Sequence, residues 1–142
     1  MATHEVYLSF QWLLSTLSGD TTLQGYAPGG VWRAEAPPST ATPYVIIAHQ
    51  PSSGGDKIVF GGARAYSDML FQVNAVGPAK NTQAIANAAA RIDTLITTTQ
   101  IAVAGGTIMA SFRDQPVEED RLIDGEVWTD LGGVYRIMAK GS

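Results

Sequence analysis

The chain has 142 residues, 45% of them apolar and 15% charged, which suits one domain with a core of its own and leaves little surface clearly meant for water. A net charge of −4 argues against a general nucleic-acid binder, which shows a basic patch or stripe. The absence of cysteine excludes disulfides, thiolate metal sites and a cysteine nucleophile.

Val6, Phe10, Leu13, Leu14 and Leu17 recur at helical spacing and predict a first amphipathic helix. Residues 7–17 are apolar enough for a signal peptide. They lack a basic leading residue, are accompanied by Glu5 and Gln11, and precede no small-residue cleavage pattern, so a soluble protein made inside the cell is expected. No run approaches the length of a membrane span. Ser18-Gly19-Asp20 ends the helix, with Gly19 suited to a left-handed C-cap, and residues 21–24 add one short turn. Pro and Gly then dominate residues 26–42, leaving residues 31–34 as a short edge strand at most. Pro43 opens an unbroken apolar run, Tyr44-Val45-Ile46-Ile47-Ala48, read as a strand to His49 with both faces covered.

Residues 52–65 form a second irregular region, in which Lys57-Ile58-Val59-Phe60 is a short β-prone insert between glycine pairs. Residues 66–76 alternate as a strand, with Met69, Phe71, Val73 and Ala75 on one face and Gln72 and Asn74 on the other. Gly77-Pro78 is expected to break it. Asn81 or Thr82 then caps a helix to about Thr97, with Ile85, Ala88, Ala89, Ile92, Leu95 and Ile96 as its stripe. The final third reads as strands: residues 107–112 running toward Pro116, a hairpin-type turn at Asp124-Gly125, and residues 134–139. The sum is an α+β fold, two main helices packed on a mostly antiparallel sheet, in a single domain over residues 1–142.

Constellations for catalysis are scarce. His4 and His49 stand without a carboxylate pair at metal-ligand spacing, and the glycine pairs match neither nucleotide-loop pattern. Glu118, Glu119 and Asp120 are adjacent, so a strand sends them to alternate faces, and no calcium-loop spacing is present. No enzyme, cofactor or metal is expected; a small ligand- or metal-binding domain built on His49 and the acids is the reading from another class.

Charge is unevenly placed. Residues 113–130 hold seven acids against two arginines, while the remainder has six acids and seven bases. Glu118, Glu119, Asp120, Asp124 and Glu126 therefore mark either an exposed, solvated hairpin or a docking surface, or an anionic lumen that lets DNA pass without sticking. Lys57, Ile58, Val59 and Phe60 are candidates for a subunit interface, because a β-branched, aromatic insert has little reason to be exposed in a monomer.

The order of these phrases resembles the tail completion, or tail terminator, proteins of long-tailed bacteriophages. The resemblance is carried by Leu14-Ser15-Thr16-Leu17-Ser18-Gly19-Asp20-Thr21-Thr22-Leu23, by Ala36-Pro37 leading to Pro43-Tyr44-Val45-Ile46-Ile47, by Asp68-Met69-Leu70-Phe71-Gln72-Val73, by the alanine-rich residues 84–90, and by Val134-Tyr135-Arg136-Ile137. It spans nearly the whole chain as order and phrase, with the glycine-flanked loop and the acidic segment as departures. It implies a ring-forming subunit, typically a hexamer, that caps the finished tail tube and meets the head connector at the head-proximal end of the tail. Its implied partners are further copies of itself, the tail tube protein and the head-tail connector, with DNA only as passing cargo; the implied setting is a virion assembled in the bacterial cytoplasm. A head-completion or tail-tube ring subunit of the same assembly is the alternative.

Overall fold

A computed structural model describes residues 4–51, 54–58, 60–62 and 64–141. In chain order the elements are α1 (Glu5–Ser18), α2 (Thr21–Tyr26), β1 (Val31–Arg33), β2 (Tyr44–His49), β3 (Gly55–Ile58), β4 (Arg64–Pro78), a 3-10 turn (Ala79–Asn81), α3 (Thr82–Ile96), β5 (Ile101–Val103), β6 (Gly106–Ile123) and β7 (Glu126–Gly141). The strands form one sheet in the order β1-β2-β4-β7-β6-β5, with β3 beside the start of β4. Every pairing is antiparallel except β1 with β2. The α+β class expected from the sequence is the class observed.

Helix α1 starts where the His4 ring nitrogen Nδ1 accepts the Val6 N–H at 3.2 Å, which satisfies one otherwise unpaired donor. Its buried side is wider than the five-residue stripe. Leu8 and Trp12 are buried with Phe10, Leu13 and Leu17, while Val6 and Leu14 are only half-buried. Gly19 does end the helix, but in a right-handed conformation (φ −82°, ψ −5°), so the left-handed cap expected there is not the one used. The stop comes instead from Asp20, whose carboxylate accepts the Leu23 N–H at 2.8 Å and starts α2.

Strand β2 occupies Tyr44–His49, as the apolar run predicts, after a cis Thr42–Pro43 peptide. Only one of its faces is covered. Val45 and Ile47 are fully buried, whereas Tyr44, Ile46 and Ala48 are half-buried and line an open groove. The expectation of cover on both faces fails because the three helices contact one another and lie in one layer, on one side of the sheet.

Alternation in β4 is as read: Met69, Phe71, Val73 and Ala75 point into the core. The strand does not break at Gly77-Pro78. It continues through Pro78, pairing Gly77 with Thr129 and Pro78 with Trp128, and Pro78 takes the terminal position where a missing N–H is tolerated. Helix α3 follows, with Asn81 at its N-cap position but making no side-chain bond there; the Thr82 hydroxyl donates back to Ala79 O instead. Ile85, Ala88, Ile92 and Ile96 are fully buried against Phe71, Val73, Tyr135 and Ile137 of the sheet. Each large aliphatic side chain so covered stabilises the fold by about 1.5–3 kcal/mol.

The last two strands form one long hairpin through the two-residue turn Asp124-Gly125, both at positive φ (50° and 79°), the geometry that matches strand twist. Apolar alternation marks only residues 107–112 and 134–139 of it, where the sheet has a covered face.

Candidate assembly surfaces

Three surfaces follow from this architecture: the arm around β3, the outer part of the β6–β7 hairpin, and the sheet face away from the helices.

The arm is tied at its root. Arg64 bridges Glu5 of α1 at 3.0 Å and Asp56 at 3.7 Å, and Ser67 donates to Asp56 at 2.6 Å. Glu5 is itself buried, so this pair fixes the arm to the helical layer. Beyond the root every residue of β3 is exposed, with Ile58 69% exposed and Phe60 completely so. Lys57, Ile58 and Phe60 thus lie together on one projecting segment; Val59 lies outside the described residues.

Glu118, Glu119, Asp120, Asp124 and Glu126 are all exposed on the outer hairpin. Asp120 accepts the Thr129 hydroxyl at 2.9 Å, and Arg121 bridges Asp130 at 2.8 Å; both links run across the two strands and stiffen the hairpin. Sequence reasoning passed over the apolar side chains at its tip. Leu122 is 74% exposed, and Ile123 and Val127 also face solvent. The signal was available, because a Leu-Ile pair followed by Asp-Gly and then Val places apolar residues beside a turn with no core behind them.

The uncovered sheet face carries Ile46, Leu70, Val134 and Met138 among ion pairs, chiefly Arg136 with Asp68 (2.9 Å) and Asp114 (3.5 Å). Asp68 and its hydrogen bond hold the Arg136 guanidinium above its usual range. A groove of about 410 Å³ crosses this face between residues 34–36 and the Arg121–Asp130 pair. In its floor Asn74 is only 5% exposed, and its Oδ1 has no hydrogen-bond partner among the described residues. The side chain lies over Gly132, where a Cβ would come within 2.7 Å of that oxygen.

The histidines stand apart from the acidic hairpin. His4 and His49 share a hollow of about 200 Å³ with Glu5, Asp56 and Asp68, and none of the acids of residues 113–130 lines it. Burial, with Arg33 and His4 nearby, holds the His49 imidazole below its usual pKa. Glu5 and Asp68 are already engaged by arginines. Among the described residues no group of three or more His, Asp or Glu is placed to hold a metal ion. The small-domain reading required a pocket uniting His49 with the hairpin acids, and the structure separates them.

The sequence matches no protein-family model and no curated protein. Among solved structures, the chain is similar to a chain in the virion of a native gene transfer agent particle, at 17% identity with a TM-score of 0.64. The likeness covers 91% of this chain and 92% of that one, so the two share one α+β fold from end to end.

Proposed function

We propose that this protein is a structural virion subunit of a phage-like particle, a single tail-terminator-like domain that assembles as a ring at the head–tail junction. The observation that carries the reading is the end-to-end fold likeness to a virion chain, joined to the order of phrases that resembles tail terminators. The surfaces favour the same reading: an arm and a hairpin that both expose apolar side chains suit a subunit whose neighbours cover them.

The mechanism is mechanical and thermodynamic. Docking on the last ring of the tail tube hides the edge to which another tube subunit would add, and growth stops. The opposite face meets the head connector. A ring turns one weak subunit contact into a tight one, because each contact after the first is intramolecular. The acids of the hairpin would repel DNA phosphates if they face the channel.

Particles lacking the protein should carry tails of uncontrolled length unjoined to heads when viewed in negative stain. Tails of normal length, joined to heads, refute the role. A tube protein would instead polymerise alone into long hollow fibres, which electron microscopy of the purified chain distinguishes.

A further inference from the structure

Beyond Ser111, β6 has a strand beside it on one side only. β7 pairs with it as far as Ile123, but β5 meets it only at residues 106–108, and Thr98 bridges only to Ser111. Among the described residues, 112–123 therefore present an open backbone edge, about 40 Å long at roughly 3.4 Å per residue. Such an edge is a template for another strand, and this one is guarded. Pro116, a register shift between Arg113 and Gln115, and the acids Glu118, Glu119 and Asp120 all discourage a generic apolar strand. A strand that adds here must bring positive charge.

The far side of the sheet is built in the opposite sense. β3 pairs only with β4, so its outer edge is also open among the described residues. It offers Lys57, which forms no ion pair among the described residues, followed by the exposed Ile58 and Phe60. Outside residues 113–130 the chain is near neutral, with seven bases against six acids, and Lys57 is a cation there that can meet the acidic hairpin.

We infer that the arm of one copy adds to the open β6 edge of the next copy, with Lys57 set toward residues 118–120. The two surfaces differ and lie at opposite ends of one sheet, so the contact is head-to-tail, and repetition closes a ring or runs on as a filament. Backbone hydrogen bonds supply the strand addition, while the charge match selects the partner. The inference rests on the ring reading above and specifies its subunit contact.

Because the chain has no cysteine, introduced thiols have no competitors. Lys57→Cys chains mixed with Glu118→Cys chains should form a disulfide-linked pair on mild oxidation, with Asp114→Cys and Asp120→Cys covering other registers. A chain carrying both Lys57→Cys and Glu118→Cys should give a ladder that ends at the oligomer mass seen by native mass spectrometry. Independently, Lys57→Glu should weaken self-association about tenfold, a loss of about 1.4 kcal/mol, and Glu118→Lys in the same chain should restore it. Oligomers that form while all three β6 positions stay unlinked, or that link Lys57→Cys to Trp32→Cys on the β1 edge, overturn the inference and leave the ring reading standing. A chain that remains monomeric at every concentration overturns the inference, and the ring reading then stands or falls on the tails of particles that lack the protein.

Discussion

Tyr135 and Asp93 join the central strand to α3, and their coupling is open to measurement. The Tyr135 hydroxyl donates to Asp93 Oδ1 at 2.8 Å; the ring is 1% exposed and the carboxylate half-buried. A hydrogen bond to a charged group contributes about 1.5–3 kcal/mol, and water reaching the half-exposed carboxylate lowers this to about 1–2 kcal/mol here. Tyr135→Phe should therefore cost about 1 kcal/mol, since water replaces the hydroxyl at Asp93. Asp93→Ala should cost more, about 2 kcal/mol, because the hydroxyl stays buried without an acceptor. The double variant should cost less than the sum of the two, by about 1–2 kcal/mol. Urea unfolding of dilute protein at pH 7, followed by tryptophan fluorescence, reads all four corners of the cycle. Singles that add to within about 0.3 kcal/mol would show that the two groups do not interact, and the reasoning would fail.

Further outcomes follow from charge and close packing. Burial, then the bond to Asp93, raises the Tyr135 phenol well above its ordinary value of 10.0. The unfolded chain loses that proton first, so stability should fall as pH rises past about 10, and Tyr135→Phe should flatten the fall in an alkaline unfolding series. Asp20 is drawn down to about 2 from 3.8, first by hydrogen bonds from Arg91 (2.8 and 2.9 Å) and then by the Leu23 N–H. Its contribution is present above pH 3.8 and lost as pH falls toward 2, so Asp20→Asn should remove that part of the acid limb in thermal melts. Gly132→Ala would place a Cβ 2.1 Å from the Val73 carbonyl oxygen, against backbone that cannot yield. At Gly133 the nearest atoms, at 2.6 and 2.8 Å, belong to the Arg113 side chain. Thermal unfolding should show Gly132→Ala as the more destabilising change; equal losses would mean that the β4–β7 pair relaxes freely.

How much of this was readable from residues depends on whether one face meets a core. Where it does, spacing placed the elements closely: β2 occupies Tyr44–His49, and α3 ends at Ile96, one residue from the expected Thr97. The four inward residues of β4 are all buried. Where neither face is covered, period carries no information. The outer β6–β7 hairpin is held by backbone pairing and cross-strand links, so its exposed residues, many of them charged, showed a turn at Asp124-Gly125 but not two strands of 18 and 16 residues. The continuation through Gly77-Pro78 was hidden for a related reason, since strand ends tolerate residues that strand centres reject. Residues 57–60 were legible as a short β-prone insert between glycine pairs. Their relation to the open β6 edge was not, because it depends on sheet order.

Strand β7, which follows the other described strands in sequence, lies near the middle of the sheet, between β4 and β6. Its Tyr135, Ile137 and Ala139 side chains complete the core that β4 and the helices share. Its pairing with β6 is local, through the Asp124-Gly125 turn, whereas its pairing with β4 joins residues far apart in sequence, which is the slower kind of contact to form. β7 is also what joins the arm-bearing half of the sheet to β6. Pairing of β7 on both sides is therefore what holds the two outer edges of the sheet in one body.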